Sequence, residues 1–211
     1  MTRVGVLVSG SGTNLQALID DAARPDAPYE IAVVLCNRPS AGALARAERA
    51  GIPREVLRQR DFPSREAFDA ELAERLAAHA VDWVACAGFM RVLTPTFLRQ
   101  FPGRVLNIHP SLLPSFPGLH AQAQATERRV AIAGCTVHFV DEGVDTGPII
   151  AQAAVPVLPG DDASSLGARI LTQEHRLYPQ VLRWAARGEL GCVDGVVTTG
   201  GARQLGLQST P

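Results

Sequence analysis

Residues Arg3 to Val8 form a short apolar, β-branched run, Ser9-Gly10-Ser11-Gly12 follows at once, and Asn14 to Ile19 then carries apolar residues at helical spacing. A strand that passes through a glycine loop straight into a helix is the opening unit of a βαβ fold. The alternation continues. Ile31 to Leu35 reads as a second buried strand and Ala41 to Ala50 as a helix closed by Gly51. Ser64 to Ala78 reads as a further helix, whose start Ser64-Arg65-Glu66-Ala67 offers an N-cap serine without the reciprocal glutamate of a full capping box. Trp83 to Cys86 and Val105 to Ile108 are two more apolar runs bounded by loops. Strands separated by helices in this way predict an α/β chain with a doubly wound, mostly parallel sheet.

The character changes after Ile108. Pro110, Pro114 and Pro117 exclude regular helix or a central strand there, leaving a long loop of the kind that carries function. Gly134 to Val140 and Pro148 to Val157 are strand-like and are joined by the glycine-rich segment Asp141 to Gly147, which predicts an antiparallel extension of the sheet. Asp162 to Arg187 reads as a long helix interrupted near Pro179. From Gly191 the chain is rich in Gly, Thr and Gln, and its last ten residues are expected to fray. With no repeat and no linker, residues 1–211 are expected to form one domain. It divides into a phosphate-binding half of about 1–100, a catalytic half of about 101–190 and a tail of 191–211.

Composition removes several chemistries. A formal net charge of -1 gives no broad basic surface, so nucleic acid is set aside as a partner. All 20 basic residues are arginine, which excludes a Schiff-base lysine, a pyridoxal phosphate anchor and a Walker A loop. Cys36, Cys86, Cys135 and Cys192 are widely spaced, form no metal-ligand pattern and are expected to be buried free thiols. The apolar run at the start is too short for a signal peptide, and no segment approaches the roughly eighteen apolar residues of a membrane span. A cytoplasmic protein without membrane partner is expected.

Three constellations could carry chemistry. In Ser9-Gly10-Ser11-Gly12-Thr13-Asn14, successive backbone N–H groups and the positive end of a helix dipole can hold an anion without a lysine. The third glycine of a dinucleotide fingerprint is missing, so a phosphate of mononucleotide size fits better; a tight turn with an Asn/Thr helix cap is the plain alternative. Asn107-Ile108-His109-Pro110 ends a strand at the edge where open α/β sheets place ligands. Alternation puts Asn107 and His109 on one side, pairing a non-titrating donor with a group that titrates near neutrality. His109 could equally be a solvated loop histidine. Asp145 sits in a glycine-flanked turn; a carboxylate beside an imidazole favours its charged form, and Asp is also a common turn residue. His79, His120, His138 and His175 are scattered and read as surface or core residues. Neither a serine-hydrolase elbow nor a His-x-x-x-His metal pair is present.

Six motifs taken together resemble the folate-dependent formyltransferases. They are Ser9-Gly10-Ser11-Gly12-Thr13-Asn14-Leu15, Ala87-Gly88-Phe89-Met90-Arg91-Val92-Leu93, Asn107 through Pro114, Thr136-Val137-His138-Phe139-Val140, Asp145-Thr146-Gly147-Pro148-Ile149, and Glu174-His175. The resemblance implies a Rossmann-like formyltransferase fold. It also implies formyl transfer from 10-formyltetrahydrofolate, as co-substrate and without metal, to the amine of glycinamide ribonucleotide in purine synthesis. Gly12, Thr13 and Asn14 would bind the substrate phosphate and its surroundings, and Glu174 the ribose hydroxyls. Arg65, Met90, Arg91, Val92 and Leu93 would contact the folate, together with Asn107 and the segment Asp141, Glu142, Gly143, Val144 and Asp145.

On the same resemblance Asn107 and protonated His109 would stabilise the oxyanion, with Asp145 raising the imidazole's proton affinity and organising a proton relay. Leu171 stands where the family can carry a polar residue, and Cys135 varies the strand beside Thr136. Formyltetrahydrofolate deformylases add an N-terminal regulatory domain, whereas this sequence opens on the first strand; transfer-RNA formyltransferases add a C-terminal domain and a basic surface. The alternatives are therefore a deformylase or a non-catalytic mononucleotide-binding module. A monomer or a homodimer is expected.

Overall fold

The computed structural model describes residues 1–193 and 195–199. In chain order the elements are β1 (Thr2–Val8), α1 (Thr13–Ala22), β2 (Tyr29–Cys36), α2 (Gly42–Arg49), β3 (Arg54–Val56), α3 (Arg65–Ala78), β4 (Trp83–Cys86) and α4 (Pro95–Leu98). There follow β5 (Val105–His109), α5 (Ala121–Glu127), β6 (Ile132–Phe139), β7 (Ile149–Pro156), α6 (Ala163–Ala186), β8 (Leu190–Val193) and β9 (Val196–Thr199). Seven strands form one sheet in the order β3-β2-β1-β4-β5-β6-β7, while β8 and β9 pair with each other. The first five strands of that sheet are parallel, and β6 and β7 run antiparallel to their neighbours, as the sequence predicts.

Alternation along β1 explains why both faces are covered. Val4, Val6 and Val8 pack under α1, α2 and α6, against Leu15, Leu18, Ala43 and Val181, whereas Leu7 faces Phe68, Leu72 and Leu76 of α3 on the other side. Each fully buried aliphatic side chain is worth about 1.5–3 kcal/mol, so the two layers hold the sheet from both sides. A third cluster, with Leu166 and Ile170 of α6 against Cys135, Ala153 and Val155, fixes the antiparallel extension. Tyr178 is fully buried and its hydroxyl lies 3.0 Å from the Cys86 carbonyl and 3.1 Å from that of Leu106, anchoring α6 to the ends of β4 and β5.

Three expectations need correction. Pro179 does not interrupt α6, which runs unbroken for 24 residues. Tyr178, Val181 and Leu182 are all fully buried around it, and that burial outweighs the roughly 3 kcal/mol that a proline costs in a helix interior. The chain is not simply a tail from 191: β8 (Leu190–Val193) and β9 (Val196–Thr199) pair antiparallel, with Leu190 and Val197 packed on the main core. The expected fraying of the last ten residues falls outside the described part of the chain. Finally, Cys36, Cys86 and Cys135 are buried free thiols, but Cys192 on β8 is exposed. Among the described residues no helix is long and apolar enough to cross a membrane.

Candidate active site

The strand order reverses at β1, whose chain continues to β2 on one side while β4 lies on the other. Open α/β sheets form their ligand crevice outside the carboxyl ends of the strands at such a point. Here the loops after β1 and β4 are stitched together: the Ser9 N–H donates to the Gly88 carbonyl (3.1 Å), and the Met90 N–H donates to Ser9 Oγ (2.9 Å).

Gly12 caps α1 with φ +74°, and a Cβ there would lie 2.7 Å from Ala43 Cα. Both facts demand glycine. No side chain caps this helix, so the cap reading of the motif fails and the first-turn N–H groups have no side-chain acceptor from the N-cap residue. The Asn14 side chain turns instead to α6, where its Nδ2 donates to Glu174 Oε2 at 2.6 Å. Glu174 is buried, and that burial pushes its carboxyl up despite the Asn14 hydrogen bond. The Asn14–Glu174 hydrogen bond thus joins the start of α1 to α6.

At the end of β5, Asn107, His109 and Asp145 meet. His109 Nδ1 lies 3.2 Å from Asp145 Oδ2, and its Nε2 lies 2.8 Å from the Phe116 carbonyl. Both ring nitrogens face oxygen acceptors, so both are satisfied only when each carries a proton. Asp145 Oδ2 also accepts the Gly118 N–H at 2.8 Å, which ties the proline-rich loop to this strand end. Burial works against the Asp145 charge, but the Gly118 N–H and the adjacent His109 imidazole hold its carboxyl below the usual range. Asp145 adopts φ +54°, a conformation Asp tolerates better than most residues.

His138, buried as a core residue, also belongs to the same cluster. Its Nδ1 lies 2.8 Å from the Phe139 carbonyl, which selects the Nδ1–H tautomer and leaves Nε2 as an acceptor 3.1 Å from Asn107 Nδ2. The second Asn107 donor points to Asp145 Oδ1 at 3.4 Å, and His138 Nε2 is 3.6 Å from the same oxygen. Both amide donors of Asn107 are therefore directed at neighbours, and donation to a substrate oxygen requires exchange of one of them.

The remaining predicted residues divide by direction. Met90 and Val92 are exposed, whereas Leu93 is buried in the core beneath α3 and presents no side chain to a ligand. Arg91 lies 4.4 Å over the Phe68 ring with its guanidinium 3.6 Å from Asp69 Oδ1, and Arg65 donates to the Val92 carbonyl at 3.0 Å. In the loop before Asp145, the Asp141 carboxylate accepts from the Gly143 N–H (3.1 Å) and Thr146 Oγ1 (2.8 Å), while Glu142, Gly143 and Val144 are exposed. Among the described residues no hydrogen bond joins 141–144 to 90–93. Nor does any group of three or more His, Cys, Asp or Glu assemble as metal ligands among them.

The sequence profile of formyl transferases matches residues 2–182. The chain belongs to the formyl transferase family. It is 46% identical over 188 residues to phosphoribosylglycinamide formyltransferase of Escherichia coli (strain K12), covering 89% of each. The crystal structure of glycinamide ribonucleotide transformylase 1 from Symbiobacterium toebii superposes with a TM-score of 0.93 at 54% identity, covering 94% of both chains. A third relative, the trifunctional purine biosynthetic protein adenosine-3 of Drosophila pseudoobscura pseudoobscura, is 53% identical over 197 residues; the chain spans only 14% of its length.

Two residues of this formyl transferase escaped the sequence reading. His138 stands directly opposite Asn107 in the β5–β6 register, a pairing visible only once the antiparallel alignment is known. Asp69 on α3 is fully buried and accepts the Thr94 N–H at 2.7 Å while facing Arg91, so it shapes the 90–94 loop from beneath. A lone acid on an otherwise apolar helix stripe, one residue after Phe68 and three before Leu72, is the signal that could have found it.

Proposed function

We propose that the chain transfers the formyl group of 10-formyltetrahydrofolate to the amine of glycinamide ribonucleotide, in the cytoplasm, as a single catalytic domain that works as a monomer or homodimer. The observation that carries this reading is the meeting of Asn107, His109 and Asp145 at one strand end beside the uncapped N-terminus of α1. Substrate contacts straddle the two halves of the chain: Thr13 and Asn14 N–H groups for the phosphate, and the Glu174 carboxylate for the ribose hydroxyls. Exposed Met90 and Val92 offer apolar surface to the folate ring system, and Arg65 and Arg91 offer cations to its terminal carboxylates.

The glycinamide nitrogen attacks the formyl carbon, and the carbonyl electron pair moves to oxygen. Collapse of that intermediate breaks the bond to N10 of the folate, while one proton passes from the attacking amine to N10. The His109 Nε2–H, now held by the Phe116 carbonyl, is the donor exchanged onto the oxyanion, with Asn107 as its neutral companion; such donors are each worth about 10²–10³ in rate. Asp145, charged throughout the neutral range, keeps the imidazole oriented and, through an ordered water, relays that proton from the amine to N10 without retaining it. Holding both reactants in one crevice supplies up to roughly 7–11 kcal/mol more. Buried thiols play no part: burial pushes those of Cys86 and Cys135 up to about 12.

The test is a product assay with both substrates, read by mass analysis. Formylated ribonucleotide supports the transferase. Free formate independent of nucleotide would make the protein a deformylase, and binding of both ligands without either product would make it a binding module.

A further inference from the structure

The glycine loop after β1 is held from one side by α2. The Ala43 N–H donates to the Gly10 carbonyl (3.1 Å), and Arg46 Nε donates to the Ser11 carbonyl (2.9 Å). Both of these peptides are trans. A trans peptide points its N–H opposite to its C=O, so two carbonyls fixed towards α2 leave the Ser11 and Gly12 N–H groups directed away from it. Neither group donates to an acceptor among the described residues. Successive amides turned to one side make a concavity for an anion.

Arg46 is half-buried and is itself oriented by a chain of hydrogen bonds. One Nη donates to Gln16 Oε1 (3.3 Å), and Gln16 Nε2 donates to Asp20 Oδ1 (2.8 Å). Ser11 and Gln16 supply the guanidinium's only hydrogen-bond acceptors among the described residues, and no carboxylate there pairs with it. A cation is thus held beside the first turn of α1, where the helix dipole is also positive. Like charges so placed repel unless an anion joins them. The same charge is felt on α6: burial, and after it Arg46, hold the His175 imidazole below its usual range against the opposing Asp20.

We propose that Arg46 is a positioning residue for the ribonucleotide phosphate, an inference that rests on the substrate reading above. It acts through the Ser11 carbonyl. Ala43 fixes only the preceding peptide, so without Arg46 the Ser11–Gly12 peptide is free to rotate, and a phosphate then meets a carbonyl oxygen where it needs the Gly12 N–H. Arg46 touches none of Asn107, His109, Asp145 or the 90–93 loop. Its effect falls on ribonucleotide affinity and leaves the chemical step and the formyl donor alone.

The experiment measures ribose 5-phosphate affinity by isothermal titration and the KM of each substrate, in the wild type, Arg46→Met, Arg46→Lys and Gly12→Ala/Arg46→Met. Arg46→Met is expected to weaken ribose 5-phosphate binding and raise the ribonucleotide KM by about tenfold, with kcat and the formyl-donor KM within about twofold of wild type. Arg46→Lys keeps a charged donor and is expected to lose only about threefold. Because Gly12→Ala already displaces the loop, adding Arg46→Met to it costs less than about threefold more. Unchanged ribose 5-phosphate affinity in Arg46→Met, a loss that falls equally on both KM values or on kcat, a lysine variant no better than methionine, or full additivity with Gly12→Ala each overturns the proposal. The reaction is judged separately. Formylated nucleotide from the wild type with no change of affinity in Arg46→Met keeps the transferase and sinks the positioning role; weaker ribose 5-phosphate binding in Arg46→Met, in a protein that forms no formylated nucleotide, does the reverse.

Discussion

Asp145 Oδ2 lies 3.2 Å from His109 Nδ1 and accepts the Gly118 N–H at 2.8 Å, so one carboxylate both orients the imidazole and pins the loop that supplies the Phe116 acceptor at its other nitrogen. Orientation and charge are separable by Asp145→Asn, which tolerates φ +54° and leaves the turn intact. The variant is expected to lose about 10²-fold or more in kcat with KM values within a few-fold, measured by steady-state kinetics with each substrate varied. Wild-type turnover would remove Asp145 from the chemistry.

The same contacts set a pH dependence. The Asp145 carboxyl is held below its ordinary value in the fold, so its favourable contribution is present above the unfolded carboxylate's value of about 3.9 and is lost as pH falls through the lower folded value. Urea unfolding of wild type and Asp145→Asn should therefore differ at neutral pH, and the gap should close below about pH 4. A gap that persists unchanged below about pH 4 would show that the Asp145 charge is not its source.

His138 is expected to act through Asn107. Replacing it with Phe removes the acceptor 3.1 Å from Asn107 Nδ2 and frees the amide to rotate away from the reacting corner. The expected result is a loss of about tenfold or more in kcat, with stability reduced by about 1–3 kcal/mol for the unpaired buried donor. His138→Gln, which keeps an acceptor, should recover a measurable part of kcat. If Phe and Gln behave alike in kcat while both lower Tm, the residue is structural only.

Gly12→Ala places a methyl 2.7 Å from Ala43 at φ +74°. The loop must shift, and the expected outcome is a KM for the ribonucleotide raised by about tenfold with the folate KM nearly unchanged, together with a stability loss of about 1–3 kcal/mol. Isothermal titration with ribose 5-phosphate reads the phosphate site without turnover; unchanged affinity would place the anion elsewhere.

Glu174→Gln separates function from stability. Burial raises the Glu174 carboxyl, meaning that the fold holds its proton more tightly than the unfolded chain does, so keeping it ionised at neutral pH opposes folding and this opposition fades as the pH falls. The amide can still accept from Asn14. The variant is expected to be more stable than the wild type at pH 7 by thermal unfolding, yet to bind the ribonucleotide more weakly; reduced stability with normal binding would contradict both halves.

Much of this was legible in the residues. β1, its glycine loop and α1 follow from local pattern, and α6 starts where Asp162 caps it and ends at Arg187. Short or polar pieces were not: β3 is three half-buried or exposed residues, and α5 shows only Ala121 and Ala125 as its apolar contacts. Pro179 misled because local propensity argues for a break while the burial of Tyr178, Val181 and Leu182 decides the outcome. Asn107 and His109 could be paired by strand alternation, but the approach of Asp145, separated by the whole β5–β6 excursion, is a tertiary fact. The pairing of His138 with Asn107 was hidden for the same reason, since it is set by antiparallel register.

The most direct measurement of the central claim is single-turnover transfer from ¹³C-formyl-labelled donor to glycinamide ribonucleotide, with saturating protein, in the wild type and in Asn107, His109 and Asp145 variants shown to bind both ligands. The label should appear in the nucleotide's N-formyl group, and each variant should slow its appearance by about 10²-fold or more. Label released as formate whether or not the nucleotide is present, or variants that transfer at the wild-type rate, would contradict the account.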